Sequence, residues 1–329
     1  MVETERARRA GRATRARAAA ALLSAAVAVS LAAACTTSRA PAPDDSRGTS
    51  RQPSATAVGP PVLAVKIDNA GAARPQTGLD AADLVYAEQV EGGLSRLMAV
   101  YATRLPQAVG PVRSARESDL ELLGQFDRPV LAFSGAQGKL LPLIDRAPLD
   151  PVTPGDVSGA YFRGAGRAAP HNLYLHPHRL LPAAPGAAAL TTGFHYGPAP
   201  SGGRATASRT VRYPAARFTF TWSADRAGWL VAMDGTRAAP AGGRQLAPAT
   251  VVVQYVKVRP SRFHDFLGNN TPYTETVGSG KAEVLRDGRA YEVNWKRAKA
   301  ADGTDFTTDD GEEVGFAEGQ VWVVLAKAP

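Results

Sequence analysis

The stretch GPVRSARESDLELL places two arginines, a serine and a glutamate where they could bind a charged group. Ser114 precedes an apolar pattern typical of a helix, and Glu117 follows three residues later, which is the spacing of a capping box. The pattern predicts a helix from about residue 114 to 126, with Ser114 as its N-cap. Arg113 and Arg116 would then lie at the end of the helix where the macrodipole is positive, so they need a negatively charged partner.

Two sources for that negative charge are open. It could be the phosphate or carboxylate of a bound ligand, in which case the arginines form a binding site. It could equally be a carboxylate of the protein itself, in which case they belong to a structural ion-pair network. The candidates in this part of the chain are Asp68, Glu88, Glu91 and Asp119.

The N-terminus has the layout of a secretory signal peptide. Six arginines precede an apolar run from Ala18 to Ala34, which is short for a membrane-spanning helix, and Cys35 follows it. Cys35 is the only cysteine of the chain, so an internal disulfide is excluded. Small residues before a sole cysteine are typical of bacterial lipoproteins, although Leu31 lies four residues before Cys35 rather than the usual three. The pattern predicts a signal peptide over residues 1–34 and a lipid on Cys35, with a plain signal peptide as the alternative.

Removal of residues 1–34 would lower the net charge from +8 to +4. Such a mild excess, without a basic stripe, argues against nucleic acid as a partner. Residues 35–59 are rich in Ser, Thr, Pro, Ala and Arg and lack large apolar side chains, so we expect a disordered tether there. The lipid would hold the protein on the outer face of the cytoplasmic membrane.

Short apolar runs with turn signals indicate an α+β fold. In the first half, Leu84–Val90 and Arg96–Arg104 read as two strands that the Glu91-Gly92-Gly93 break turns into a hairpin. With the predicted helix and the buried run PVLAFSG, they suit a mixed α/β domain over residues 60–200.

The second half consists of strand-like pieces, and Asp287-Gly288 between two of them is a strong hairpin signal. It predicts a smaller β-rich domain over residues 210–329, with the change of domain near residues 195–212. The four tryptophans, Trp222, Trp229, Trp295 and Trp322, all lie in this half and suit core packing better than a sugar-binding platform.

Other familiar chemistry has weak support. HNLYLHPHRL holds three of the five histidines, but no cysteine lies near them and HExxH does not occur, so we expect no metal and no cofactor. GxSxG is also missing from the sequence. Glu88 and Glu91 could form an acid–base pair, but in a strand their spacing of three would direct them to opposite faces.

The chain resembles the YerB-like lipoproteins. The first half shares VKIDNAGAARPQTGLDAADLVYAEQVEGGLSRLMAVYATRLPQAVGPVRSARESDLELL and APHNLY, and the second shares VVVQYVKV, VGSGKAEVLRDGRAYEVNWKR and EGQVWVVL. The resemblance implies a lipid-anchored extracytoplasmic protein of two domains of unknown function, and it implies no catalytic residue. The family's polar motif positions fall here on Asp68, Asn69, Arg74, Gln76, Glu88, Glu91, Arg96, Arg113, Ser114, Arg116, Asp119, His171 and Asn172.

These observations favour a binding protein whose site is built on Arg74, Arg96, Arg113 and Arg116. Its partner would be an anionic cell-wall polymer, a peptidoglycan precursor or the acidic segment of another protein. One alternative is an envelope hydrolase or transferase that uses Glu88, Glu91, Asp119 or His171 as acid or base. Another is a scaffold that only docks partner proteins. A histidine and an acid that converge at a deep cleft would favour the enzyme, and a shallow basic surface would favour the scaffold.

Overall fold

The computed structural model describes residues 60–240, 243–265 and 268–329. The predicted signal peptide, Cys35 and the predicted tether lie outside the described residues. Within the described part of the chain, no helix is long and apolar enough to cross a membrane.

Strands account for most of the regular structure. In chain order they are β1 (Leu63–Asp68), β2 (Leu84–Gln89), β3 (Ser95–Tyr101), β4 (Val130–Ala132), β5 (Asp150–Val152), β6 (Tyr161–Arg163), β7 (Leu173–Leu175), β8 (Arg204–Ala205), β9 (Ser208–Tyr213), β10 (Ala216–Ser223), β11 (Gly228–Met233), β12 (Thr236–Arg237), β13 (Thr250–Val256), β14 (Val258–His264), β15 (Asn270–Thr274), β16 (Gly278–Arg286), β17 (Arg289–Arg297), β18 (Asp305–Thr307) and β19 (Val321–Lys327). The helices are α1 (Glu117–Leu123), which follows β3, and α2 (Leu141–Ile144), which follows β4.

One mixed sheet joins the two halves of the chain. Its order is β18-β17-β16-β13-β19-β2-β3-β1-β4-β5, with β8 paired to β17. Strand β19 lies at its centre and runs parallel to both of its neighbours, β13 and β2. Strands β9 to β12 form a second, four-stranded sheet.

The central strands are buried on both faces. One face packs against the second sheet, where Trp322 of β19 meets Phe218 and Phe220 edge-on, at ring-centroid distances of 6.3 and 6.0 Å. The opposite face is covered by α1, α2 and loops, and includes Phe126 and Phe316. Both cores contain side chains from both halves of the chain.

The α+β prediction is wrong, because the structure is mostly β. Among the described residues α1 has seven residues and α2 has four. The predicted helix over residues 114–126 was the largest helical contribution to that prediction. Its first part is extended, because residues 112–115 bond their backbone groups to neighbouring segments rather than to each other.

The two hairpin turns that the sequence predicts are confirmed. Strands β2 and β3 pair antiparallel across the Glu91–Gly93 turn, in which Gly92 and Gly93 have positive φ. Strands β16 and β17 pair across Asp287 and Gly288, whose φ values of 51° and 72° suit a tight hairpin. The division into domains over residues 60–200 and 210–329 stays a prediction.

The position of β19 predicts cooperative unfolding. We expect urea to unfold the protein in a single transition, since β19 from the second half bonds to β2 from the first.

Trp322→Ala should lower the free energy of unfolding by about 3–5 kcal/mol, because Trp322 is fully buried. Leu141→Ala is the control, since Leu141 is 38% exposed and should cost about 0.5 kcal/mol or less. Circular dichroism during titration measures both, and two resolved transitions would instead support independent domains.

Candidate functional site

Residues 112–116 form an extended segment between β1 and the loop after β4. The amide of Val112 donates to Leu173, that of Arg113 to Lys66, and that of Ala115 to Gly135. Residues three apart in an extended chain point to opposite sides. This segment, which we call the arginine segment, therefore directs Arg113 and Arg116 into different surroundings.

The predicted cap at Ser114 is wrong. Helix α1 begins at Glu117, and its N-cap is Arg116, whose backbone is extended with φ −126° and ψ 162°. The carboxylate of Asp119 accepts the backbone N–H of Arg116 at 2.7 Å, which is the half of a capping box that the N3 residue supplies. The positive end of the helix is thus satisfied by acidic residues of its own first turn.

Arg116 is neutralised inside the protein. Its guanidinium binds Glu91 in a bidentate manner, with Nε–Oε1 at 2.7 Å and Nη2–Oε2 at 2.8 Å. Thr271 of β15 donates a third hydrogen bond to Glu91 at 2.6 Å. Burial alone would raise the pKa of Glu91, but these hydrogen bonds and the charge of Arg116 outweigh it and hold the pKa below its usual value.

A second ion cluster lies under the start of α1. Lys66 of β1 has no solvent exposure, and its ammonium contacts Glu88 and, at 2.6 Å, Asp119. Ser118 donates to the other oxygen of Glu88 at 3.0 Å. Burial lowers the pKa of Lys66 to about 8, and the charge of Asp119 opposes that shift.

The expectation that Glu88 and Glu91 diverge is also wrong. Strand β2 ends at Gln89, so the alternation of a strand does not extend to Glu91. Both carboxylates approach the start of α1, where Glu88 accepts from Ser118 and Glu91 from Arg116. Both are occupied there by hydrogen bonds and ion pairs, which does not suit an acid–base pair.

Arg96 is the cation with least compensation in this region. Its Nη1 donates to the carbonyl of Ser114 at 3.2 Å, and within the described residues no carboxylate lies at ion-pair distance from it. The pKa of Arg96 is lowered to about 9, mainly by burial and also by the charges of Arg116 and Arg113, while those of Glu91 and Asp68 raise it. Arg96 is therefore a buried cation surrounded by charges of both signs.

Asp68 connects Arg113 to His171. The Oδ2 atom of Asp68 lies 2.8 Å from Nδ1 of His171 and 3.3 Å from Nε of Arg113. Its Oδ1 atom accepts the backbone N–H of Ala70 at 3.1 Å. Asp68 is 3% exposed, whereas the side chains of Arg113 and His171 remain 26% and 24% exposed.

Three of the predicted residues form hydrogen bonds that hold the loop after β1 in place, and they do not line a cleft. Arg74 donates to Asn69 through Nε at 3.0 Å and to Asp234 through Nη2 at 2.7 Å, so the protein itself neutralises its charge. Gln76 donates to the side chain of Asn69 at 2.8 Å. Asn69 in turn donates to Ser95 at 2.9 Å.

Asn172 lies immediately before β7 and orients a residue that the sequence did not single out. Its Oδ1 accepts from Nη1 of Arg163 at 2.7 Å, and its amide donates to the carbonyl of Gly164 at 3.3 Å. Arg163 is exposed.

A cleft of about 670 Å³ opens beside Arg113, and we call it the Arg113 cleft. None of its lining residues is acidic, and two are arginines. The lining residues are Arg113, Ser114, Ser134, Pro154, Gly155, Val157, Ser158, Gly159, Tyr161, Phe162, Arg163, Pro170 and Leu173. Guanidinium and hydroxyl groups are suited to an anion, and Asp68, the carboxylate that contacts Arg113, does not line the cleft.

A second cleft of about 410 Å³ lies on the other side of Ser114. It contains Arg116, but also acidic side chains. Its lining residues are Glu91, Ser114, Ala115, Arg116, Glu117, Ala136, Gln137, Gly138, Leu140, Phe263, His264, Asp265 and Thr271. Negative groups already balance its cations, so the Arg113 cleft is the better anion site.

The sequence missed Lys66, Thr271 and Arg163. For Lys66 a signal exists, because a lysine inside the apolar run VLAVKI is unusual unless a buried partner neutralises it. For Thr271 and Arg163 no local signal exists, since only the fold brings them to the arginine segment. Among the described residues, no group of three metal-ligating side chains is placed to hold a metal ion.

Sequence comparison identifies the family. The profile of "Protein of unknown function (DUF3048) N-terminal domain" matches residues 48–190, and that of its C-terminal domain matches residues 209–323. The chain belongs to this family, which confirms the resemblance to YerB-like proteins.

Two related molecules come from Bacillus subtilis. The protein named "Putative lipoprotein YerB" of strain 168 is 36% identical over 113 residues, which is 34% of this chain and 34% of that protein. The match therefore spans about a third of the curated relative. The crystal structure of YerB protein from Bacillus subtilis has a TM-score of 0.67 at 20% identity and covers 82% of this chain and 91% of that one. This likeness shows a shared fold.

Arg116 should be structural, and its loss should destabilise the protein. Arg116→Gln strands the carboxylate of Glu91, and breaking a buried ion pair costs about 3–5 kcal/mol. Adding Glu91→Gln should recover part of that loss, because no buried charge is then unpaired. Urea titration of the single and double variants measures the coupling, with Arg146→Gln at an exposed position as the control. A loss below about 1 kcal/mol in Arg116→Gln would contradict a structural role.

Proposed function

We propose that this member of the DUF3048 family is a lipid-anchored extracytoplasmic protein that binds an anionic group of the cell envelope in the Arg113 cleft. The observation that supports it most is the lining of that cleft, which has two arginines and three serines but no carboxylate. The group would belong to a cell-wall polymer, a peptidoglycan precursor or an acidic protein segment.

Of the four arginines in the predicted site, Arg113 is the one that we expect to bind the ligand. Arg74 and Arg116 are each paired with a carboxylate of the protein, and Arg96 donates to a backbone carbonyl. Arg113 differs, because it lines the cleft, its side chain is 26% exposed, and it contacts Asp68 through Nε at 3.3 Å. A ligand oxygen in the cleft would give the exposed part of this guanidinium a second partner beside Asp68.

Arg163 would provide the second contact. It lies on the β6–β7 hairpin, and its bond to Asn172 limits the directions that its guanidinium can take. Two guanidinium groups present several N–H donors to the oxygens of one phosphate or carboxylate, and charge-assisted hydrogen bonds are the strong ones.

The volume of the cleft favours a protein that binds a ligand over a scaffold that only docks partner proteins. A scaffold would be expected to present a shallow basic surface, whereas the Arg113 cleft has a volume of about 670 Å³. Volumes of 300–1,000 Å³ are usual for small-molecule sites. Aromatic side chains of Tyr161 and Phe162 in the wall offer apolar contact to the rest of such a ligand.

Anion binding should depend on the two cleft arginines. With inorganic phosphate and glycerol 3-phosphate as probes, Arg113→Gln and Arg163→Gln should each weaken binding by about 10- to 100-fold, the equivalent of one charge-assisted hydrogen bond. Arg146→Gln, at an exposed arginine outside the cleft, should leave the affinity unchanged. Isothermal titration calorimetry measures the dissociation constants, and glycerol is the uncharged control. Equal affinities in all four proteins would rule out this cleft as the anion site.

Membrane attachment should depend on Cys35. The name of the Bacillus subtilis relative supports a lipoprotein, and the sole cysteine after a signal-like run supplies the attachment point. Cys35→Ser should move the protein from the membrane fraction to the soluble fraction or the medium when cells are fractionated without detergent. Immunoblotting measures the distribution, and retention of the variant in the membrane would contradict lipid attachment at Cys35.

A further inference from the structure

His171 differs from the other histidines in its hydrogen bonding. Its Nδ1 lies 2.8 Å from a buried carboxylate, whereas His176 and His178 contact backbone carbonyls and His195 meets the exposed Glu313 at 3.6 Å. Within the described residues the Nε2 atom of His171 has no hydrogen-bond partner.

Asp68 holds the imidazole in one tautomer. An ionised carboxylate only accepts hydrogen bonds, so Nδ1 of His171 must be the protonated nitrogen and Nε2 then presents its lone pair. Asp68 is itself fixed, since its Oδ1 accepts from Ala70 and its backbone carbonyl accepts from Gln76. A buried aspartate that orients the imidazole of a general base is a recurrent catalytic arrangement.

The pair lies next to the Arg113 cleft, because Asp68 contacts the cleft residue Arg113 and His171 follows the cleft residue Pro170. Pro170, the residue before His171, lines the cleft, and so does Arg113, which contacts the same Asp68 oxygen as His171. A ligand bound by Arg113 is therefore close to an imidazole with a free lone pair and partial solvent exposure. The guanidinium of Arg113 and the imidazole of His171 therefore contact the same carboxylate oxygen of Asp68.

We infer that the Arg113 cleft hydrolyses a phosphodiester, with His171 as the general base and Asp68 as its positioning residue. This inference rests on the proposed anion site. Nε2 of His171 takes a proton from water, and the water oxygen bonds to phosphorus. The bond from phosphorus to the ester oxygen opposite the attacking water breaks, and that oxygen leaves and takes a proton from solvent. Nε2 of His171 then releases its extra proton to solvent. The products are a phosphate monoester and an alcohol, and no oxidant or reductant is needed.

A phosphodiester fits the charges of the cleft. It has one negative charge shared by two non-bridging oxygens, which two guanidinium groups can bind from different sides. Charge builds up on these oxygens as water attacks, so Arg113 and Arg163 would stabilise the transition state more than the ground state. The serine hydroxyls in the wall can hydrogen-bond to the leaving group or to water.

The test uses the full-length protein in detergent with bis(p-nitrophenyl) phosphate as substrate and p-nitrophenol release as the readout. His171→Asn keeps a donor towards Asp68 but removes Nε2, so we expect kcat to fall by about 100- to 10,000-fold. His171→Gln is a second variant in case one of them alters the fold. His178→Gln, at an exposed histidine outside the cleft, should leave kcat unchanged. Asp68→Asn should lower kcat more than it changes KM, which a purely structural residue would not do selectively.

Phosphate affinity is measured on the same samples and separates the two proposals. We expect the His171 variants to bind inorganic phosphate within about twofold of the unaltered protein while they lose turnover. An unaltered protein that binds phosphate through Arg113 but releases no p-nitrophenol would overturn the hydrolase inference and leave the anion site intact. Turnover that persists in both His171 variants would also overturn it. Failure to bind phosphate at all would instead refute the proposed function.

Discussion

The ammonium of Lys66 has no access to water, and the structure around the site depends on that constraint. An unpaired buried charge would cost several kcal/mol, so carboxylates must reach it from other elements. Glu88 comes from β2 and Asp119 from α1, which ties both elements to β1. Asp119 also accepts the N–H of Arg116, and the same carboxylate therefore defines where α1 begins.

That arrangement determines the conformation of the arginine segment. With α1 starting at Glu117, the preceding residues are free to bond to β1 and to the loop after β4, and they become extended. Arg113 and Arg116 then face opposite sides. Arg116 meets Glu91, 25 residues away in sequence, and Glu91 also accepts from Thr271, 180 residues further along the chain from it. Arg113 meets Asp68 and an open cleft.

Charge balance explains why similar side chains have different roles here. Wherever a carboxylate neutralises an arginine completely, as for Arg116, the pair contributes to packing and has little to offer a ligand. Arg113 shares Asp68 with His171 and remains partly exposed. Asp68 thus keeps two functional groups oriented while it satisfies neither of them fully.

Residues of the second half of the chain complete the hydrogen bonding around α1 and Glu91. Thr271 bonds to Glu91, and three backbone or hydroxyl groups near Thr276 bond to Glu121 of α1. Together with the pairing of β19 and β2, these contacts make the N-terminal site a product of the whole chain. The physical cause is that the turn after β2 and helix α1 each carry a carboxylate, Glu91 and Glu121, that accepts hydrogen bonds from residues of the second half.

The sequence by itself determined the family, the hairpins and the set of polar residues near the site. Gly92-Gly93 and Asp287-Gly288 specify their turns locally, because the φ values that they require are available to few other residues. The motifs likewise singled out Asp68, Arg113 and His171 before any contact between them was known. Only the tertiary structure decided that the two halves share one sheet, that residues 112–115 are extended and that each arginine meets its particular carboxylate. These outcomes depend on hydrogen bonds and ion pairs between residues 22 to 180 positions apart, which local propensity and periodicity do not record.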